Sequence, residues 1–358
     1  MRILWFNWRD IKHPEAGGAE VLTHQVMLRL AKMGHKMTLF CPLTAKLLKR
    51  EEIDGVEIIR NGGKYSIYRK AKEFYKKNRE NYDFIIDEIN AKPFLSPDVI
   101  GDKPVLALFH QLIDKEWFYE VPFPLSYICY YYLERKWLSN YKDIPTATVS
   151  NSSEQDLKKF GFKRVFVVPM GLSVEPLKTV QEKEHAPTIV FIGRLKRHKL
   201  PDHAIKAFSL IKQQFPDSKM WVIGDGPMLE KLKKTNVKDV IFYGHIENSL
   251  KYDLLKRAHL VLMPSVREGW GLVVTEANAM GTPVVAYNVP GLRDSVVDGK
   301  TGILVKENSV QDLAQAAISL LNDRGALKRY SSEALAYSNN FSWDDTAAEF
   351  DKIVRQLA

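Results

Sequence analysis

Cysteine is almost missing from this chain. Cys41 and Cys129 are the only two among 358 residues, which excludes a disulfide framework or a Cys-rich metal site as the organising device. Long apolar runs are missing too, since none reaches the ~20 residues needed to span a bilayer. The opening Met1-Arg-Ile-Leu-Trp-Phe-Asn7 reads as a first strand and not as a signal peptide. The expectation is a cytoplasmic protein, with peripheral contact on the cytoplasmic membrane face left open. No internal repeat and no low-complexity segment is found. Acidic residues are outnumbered: 52 Lys and Arg against 43 Asp and Glu leave a formal net charge of +9. That balance suits anionic partners, whether nucleic acid, acidic lipid headgroups or phosphorylated small molecules.

What is present is enough for two cores. A chain of 358 residues is too long for one ordinary domain, and 45% apolar content is that of a soluble globular protein. Residues 3–6, 37–40, 56–60, 84–87, 105–109, 146–149 and 165–168 read as strands. A helix over 19–33 carries an apolar stripe of Val21, Leu22, Val26, Leu28, Leu30 and Ala31. Ser150 caps another helix that reaches Leu157. A Glu- and Lys-rich linker follows at 173–187, with Pro176 and Pro187. The alternation then restarts, with strands at 188–192, 220–223, 240–243 and 260–263 separated by helices near 202–214, 228–234 and 249–257. Helices at 310–322 and 324–338 come next. The string Phe341-Ser-Trp-Asp-Asp345 looks like a capping box for a last helix ending at Leu357. The pattern is that of two doubly wound α/β domains.

Two segments of the first half stand apart. One is basic, with Arg60, Lys64, Arg69, Lys70, Lys72, Lys76, Lys77 and Arg79 interleaved with Tyr65, Tyr68, Phe74 and Tyr75. It is either a solvated helix face or a surface for acidic membranes or phosphate. The other, 117–141, is aromatic: Trp117, Phe118, Tyr119, Phe123, Tyr127, Tyr130, Tyr131, Tyr132, Trp137 and Tyr141. Its helical part, 125–138, either packs inside the first domain or suits a membrane interface.

Polar residues gather just past the strands, where open α/β sheets bind ligands. The most informative stretch runs from Met263 to Ala286. Glu268 lies on the loop after a strand, and a helix starts at about Gly271 with Glu276 in its first turns. Gly281-Thr282-Pro283 stops that helix before the next strand. Backbone N–H groups near Gly271 and Leu272 offer a site for phosphate or a sugar hydroxyl. Gly193-Arg194 to Lys199 places cations past another strand, Arg being suited to bidentate phosphate contacts and Lys to a point charge. Gly224-Asp225-Gly226-Pro227 and Tyr243-Gly244-His245-Ile246 occupy two further strand ends. In the first half, Glu15-Ala-Gly17-Gly18-Ala-Glu20 is a tight turn or a ligand loop, and it lacks the third glycine of the dinucleotide fingerprint. Asp87, Glu88 and His110 also fall at strand ends.

Glu268, Glu276 and the following Met280-Gly-Thr-Pro-Val-Val285 together resemble the signature of the retaining family 4 glycosyltransferases of the GT-B fold. The other strings fall in that family's order across essentially the whole chain, densely from 192 to 305. The resemblance implies an α/β GT-B architecture: two facing Rossmann-like doubly wound domains with an interdomain cleft. Residues 1–172 would be the acceptor-side domain and 173–341 the nucleotide-sugar-binding domain, with the C-terminal helix 342–358 completing the first. It implies a donor diphosphate clamped by Arg194 and Lys199 and faced by the N–H groups of Gly17 and Gly18. Gly193, Gly224, Asp225, His245, Gly269, Gly271 and Leu272 would line the donor site, Glu268 would reach the sugar and Glu276 the ribose. His110 resembles the active-site histidine beside the sugar, while Asp87 and Glu88 are candidate acceptor contacts. The glycine usual after the clamp lysine is Leu200 here, a departure in the local loop.

The reaction so implied is retaining transfer of a hexose-type sugar from a nucleotide-diphosphate sugar to an acceptor hydroxyl. It needs no cofactor and no metal, since the Asp-x-Asp pair of the metal-dependent glycosyltransferases is missing. The expected acceptor is a lipid-linked or membrane-presented glycan or glycolipid, with peripheral contact to anionic membrane and no nucleic acid. The rivals are a nucleotide-sugar epimerase, a sugar phosphorylase on the same fold, and a non-catalytic basic protein binding membrane or nucleic acid.

Overall fold

The computed structural model describes residues 1–95 and 97–358, which form two compact units. The first comprises Met1–Trp117, Phe123–Gly171 and Ser342–Ala358, the second Phe118–Pro122 and Leu172–Phe341. The boundary expected at 172/173 therefore falls one residue earlier. The short loop Phe118–Pro122, assigned from sequence to the first domain, belongs with the second unit.

The first unit is built on strands β1 (Arg2–Phe6), β2 (Lys36–Cys41), β3 (Arg50–Ile53), β4 (Val56–Arg60), β5 (Phe84–Glu88), β6 (Val105–Phe109), β7 (Thr146–Thr148) and β8 (Val165–Val167). They lie in the order β3-β4-β2-β1-β5-β6-β7-β8, and all neighbours are parallel except β3 and β4. Ile3, Leu4, Trp5 and Phe6 are fully buried. A parallel sheet covered on both faces requires such continuous apolar strands.

The antiparallel edge strand β3, Arg-Glu-Glu-Ile, was not expected, because it has no apolar alternation to reveal it. It is held by a charge. Arg60, read from sequence as part of a basic face, points inward with a fully buried side chain. Its Nε donates to Asp10 Oδ2 at 2.7 Å and its Nη2 to Asp10 Oδ1 at 3.0 Å. Its Nη1 reaches Glu51 Oε1 on β3 at 2.6 Å and the Leu48 carbonyl at 2.7 Å. Burial pushes the Asp10 carboxyl up, but the guanidinium outweighs it and holds the pKa below the usual range.

The basic segment forms the helix Ile67–Asn78, and most of its aromatics turn inward. Phe74 stacks on Phe40 at 4.6 Å, and the Tyr75 hydroxyl donates to the Ile100 carbonyl at 2.8 Å. Lys64, Lys72, Lys76 and Lys77 remain on the exposed side. The aromatic segment runs as Leu125–Ile128, a wider π turn over Cys129–Leu133, and Glu134–Ser139. Part of it packs inside the unit and part faces outward. Cys129, Leu138 and the later Tyr141 are buried, whereas Phe123 is 79% exposed, Tyr131 61% and Tyr132 59%.

The helix Trp343–Leu357 closes the first unit against the helix Gly18–Lys32. Phe350 stacks on Trp5 at 5.3 Å, and His35 Nε2 pairs with Asp351 Oδ1 at 2.7 Å. The chain can reach it only through a glycine, since a Cβ on Gly171 would lie 2.2 Å from the Trp343 ring. Ser342 caps this helix by accepting from the Asp344 and Asp345 N–H groups at 3.1 and 3.4 Å. The cap is one-sided, so the expected capping box reduces to its serine half.

The second unit carries β9 (Thr188–Ile192), β10 (Lys219–Ile223), β11 (Val240–Gly244), β12 (Leu260–Met263), β13 (Val284–Tyr287) and β14 (Gly302–Val305). The order is β11-β10-β9-β12-β13-β14, parallel throughout, so the chain reverses direction of travel across the sheet at β9. The expected linker is a strap pinned to this unit. Lys183 Nζ donates to the Gly281 carbonyl and Thr282 Oγ1 at 2.9 Å each and to the Lys256 carbonyl at 3.1 Å; burial pushes this amine down to about 7. Among the described residues no helix is long and apolar enough to cross a membrane.

Candidate active site

In the second unit, four adjacent parallel strands deliver the expected residues to one carboxyl edge. β9 leads into Gly193 and Arg194, β10 into Gly224 and Asp225, β11 into His245, and β12 into the loop holding Glu268. The β9–β10–β12 neighbourhood is the topological switch point of this sheet, the place where open α/β sheets bind ligands.

The loops are tied to one another. Leu195 N donates to the Asp225 carbonyl at 2.8 Å, Met228 N to the Leu195 carbonyl at 3.0 Å, and Val266 N to the His198 carbonyl at 2.9 Å. Gly224 has φ of +128°, and a Cβ there would sit 2.1 Å from the Gly193 carbonyl oxygen, so only glycine lets these loops meet. Leu200 stands where the family pattern has glycine and still adopts the left-handed conformation, with φ 50° and ψ 47°. The departure in sequence leaves the turn intact.

Three carboxylates are held by basic side chains. Lys199 Nζ donates to both Glu268 oxygens at 2.6 Å, and the buried Ser265 hydroxyl donates to Oε1 at 2.7 Å. Burial pushes the Glu268 carboxyl up, yet Lys199 and Ser265 outweigh it, so its pKa lies below the ordinary value and the group is ionised at neutral pH. Glu276, on the helix Leu272–Ala279, accepts at Oε1 from Lys251 Nζ at 2.8 Å and from the Tyr252 hydroxyl at 3.1 Å. Glu120, from the loop Phe118–Pro122, bonds His198 Nδ1 and lies 3.7 Å from Lys196 Nζ. Arg194 and Arg197 are exposed and form no ion pair among the described residues. Asp225 and His245 are exposed as well, and Asp225 Oδ1 accepts from the Gly226 N–H at 2.6 Å. Gly269 precedes the helix, and Gly271, with φ 91°, caps it so that Leu272 opens its first turn.

Ser265, Lys251, Tyr252 and Glu120 were not anticipated. Ser265 sits three residues before Glu268 and is the one that a closer reading of that loop could have found. Lys251 and Tyr252 lie some 25 residues from Glu276, and no periodicity links them.

The first unit brings its own polar edge together. Gly17 N donates to Glu20 Oε2 at 2.7 Å, which closes the glycine loop at the start of the helix that Gly18 opens. His110, just past β6, has its Nε2 2.8 Å from Glu88 Oε1. Asp87 and Glu88, expected as acceptor contacts, are both engaged in bonds inside the unit. Asp87 is fully buried and accepts from the Phe94 and Leu95 N–H groups at 3.1 Å each and from the Tyr141 hydroxyl at 2.7 Å. Burial pushes its pKa up to about 6 against those donors. Glu88 is fully buried too, with Trp5 Nε1 at 2.9 Å and Thr23 Oγ1 at 2.6 Å on Oε2. Among the described residues no His, Cys, Asp and Glu side chains are grouped so as to hold a metal ion.

Two such units define a GT-B architecture. The chain superposes on sucrose-phosphate synthase from Thermosynechococcus elongatus with a TM-score of 0.82 and 20% identity, covering 99% of this chain and 98% of that one. It superposes on Anabaena HepE, solved with UDP and glucose, with a TM-score of 0.73 and 18% identity over all of both chains. These likenesses show the fold. The family follows from sequence: the Glycosyltransferase Family 4 model matches residues 16–175, and the Glycosyl transferases group 1 model matches residues 175–336. The chain belongs to this family of glycosyltransferases. The D-inositol 3-phosphate glycosyltransferase of Nocardia farcinica is 34% identical to it over 173 residues, which is 45% of this chain and 38% of the relative. The chain thus spans well under half the length of that curated relative.

Proposed function

We propose that the protein transfers a hexose-type sugar from a nucleoside-diphosphate sugar to an acceptor hydroxyl, with retention at the anomeric carbon. The observation that carries this reading is the cationic loop past β9. Arg194 is uncommitted there, and Lys199 is already drawn onto the ionised Glu268. As the sugar–phosphate bond breaks, negative charge builds on the departing diphosphate. Fixed cations at that position stabilise it without reorganising. Glu268, acceptor-only when ionised, suits sugar hydroxyls that donate. Glu276 is steadied at one oxygen by Lys251 and Tyr252, which leaves the other for ribose hydroxyls. A relative of the fold solved with UDP and glucose supports a nucleotide-linked donor. The Arg and Lys clamp takes the place that a divalent ion has in metal-dependent transferases, so activity should survive excess EDTA.

The direct test incubates the protein and EDTA with a panel of nucleotide-sugars and candidate acceptors, then reads the anomeric configuration of any product by NMR. Transfer with retention supports the proposal. Loss of activity restored by magnesium or manganese contradicts the metal-free clamp, and an inverted product contradicts retention. Epimerised donor in the absence of acceptor would instead mark an epimerase.

The acceptor in this reading is presented at an anionic membrane surface. Support comes from the segment 122–136, where Phe123, Leu125, Tyr127, Ile128, Tyr131 and Tyr132 are exposed beside the exposed Arg135 and Lys136. Its one acid, Glu134, is buried and turned to the Ile113 and Asp114 N–H groups and Trp117 Nε1. Apolar rings next to unopposed cations match an acidic headgroup layer, and each cation there contributes about 1 kcal/mol. Co-sedimentation with anionic liposomes at low salt is expected and should fall with added salt. Tyr131→Ser with Tyr132→Ser should weaken it more than Lys72→Glu with Lys76→Glu. Wild-type protein that ignores anionic liposomes at low salt contradicts the membrane reading.

A further inference from the structure

We infer that Glu88 is a positioning residue that locks His110 in one tautomer, with Nε2 protonated and Nδ1 offered as an acceptor to a substrate sugar hydroxyl. The inference rests on the proposed glycosyl transfer for the sugar hydroxyl it names and for its kinetic arm, whereas the tautomer is independent of it. Four side chains, from two strands, one helix and the loop after β6, meet inside the first unit. Glu88 ends β5 and is fully buried. Its Oε2 receives Trp5 Nε1 from β1 at 2.9 Å and Thr23 Oγ1 from the helix Gly18–Lys32 at 2.6 Å. Its Oε1 faces His110 Nε2 at 2.8 Å. An indole N–H can only donate, and an ionised carboxylate can only accept. Trp5 therefore fixes Oε2 as an acceptor, and with Oε1 unprotonated the bond to His110 requires a proton on Nε2. In the neutral ring the second nitrogen must then be bare. His110 Nδ1 makes no hydrogen bond among the described residues, and the side chain is 16% exposed, so this nitrogen is the polar atom the ring has left to offer a ligand. It does so at the carboxyl edge of a parallel sheet, where ligands bind. The second ring nitrogen of a working histidine is commonly set by such a partner.

Glu88→Gln separates this role from packing. The donor Trp5 Nε1 demands an acceptor on its side, so the glutamine carbonyl must take the Oε2 position. Its amide NH2 then faces His110 Nε2 and forces that nitrogen to accept. The proton moves to Nδ1, and an acceptor becomes a donor with almost no change in shape. The experiment is 15N NMR of histidine-labelled protein, with the His110 signals assigned by comparison with His110→Gln. Wild type is expected to show an unprotonated, pyridine-type Nδ1 at neutral pH, and Glu88→Gln the opposite tautomer. In the kinetic arm, Glu88→Gln should lower kcat/KM by about tenfold or more, with Glu88→Asp recovering part of it. A wild-type His110 protonated at Nδ1, or wild-type kcat/KM in a folded Glu88→Gln variant, overturns the inference. Because the tautomer is read without substrate, the lock on His110 stands or falls even if no glycosyl transfer is found.

Discussion

Arg194→Ala is expected to lower kcat/KM for the nucleotide-sugar roughly 10- to 100-fold while leaving the melting temperature unchanged. The guanidinium is exposed and has no ion-pair partner among the described residues, so its removal leaves no buried group stranded. What disappears is a charged hydrogen bond to the diphosphate, worth about 1.5–3 kcal/mol. A tenfold rate change corresponds to about 1.4 kcal/mol, which sets the range. Lys199→Ala should behave differently. It strips the cation from Glu268, whose side chain is only 12% exposed, so that variant should lose stability as well as turnover. Steady-state kinetics and thermal melts on the two variants check this split. Wild-type kinetics in Arg194→Ala would remove the clamp from the mechanism.

The largest effect on stability is expected at Arg60. Arg60→Met leaves the carboxylate of Asp10 buried without its bidentate partner, and breaking a buried pair from one side costs about 3–5 kcal/mol. Urea unfolding followed by circular dichroism measures the loss. Hydrogen exchange should show β3 released first, because Glu51 loses its tie to Arg60 as well. Adding Asp10→Leu to Arg60→Met should recover much of the stability, since an apolar pair is often as stable as a buried ion pair. A loss under about 1 kcal/mol in the single variant contradicts this account.

Arg60 also shows where sequence reading stops. It was counted with Lys64 to Arg79 as one basic surface, because charge along the chain says nothing about a carboxylate 50 residues away. The strand β3 was hidden for the same reason, being held by that buried guanidinium and not by apolar alternation. Asp87 and Glu88 were legible as residues at a strand end, but their partners come from Trp5, Thr23 and Tyr141, far off in the chain. In contrast, every strand except β3 and β14 was legible from a short β-branched and aromatic run, since parallel sheets buried on two faces need little else. The loops carrying Arg194, Lys199 and Glu268 and the helix carrying Glu276 were legible too, because glycines and prolines punctuate the chain around them. Lys199 on Glu268 is close to the surface of that reading. Lys251 and Tyr252 on Glu276 are not, since they come from a different helix.

The most direct test of the central claim is a calorimetric titration of nucleoside diphosphates, one base at a time, into wild-type protein in EDTA. The account predicts one-to-one binding for at least one base, weaker at high salt and weakened about tenfold or more by Arg194→Ala. No binding of any nucleoside diphosphate up to millimolar concentration, or equal binding by Arg194→Ala, would contradict it.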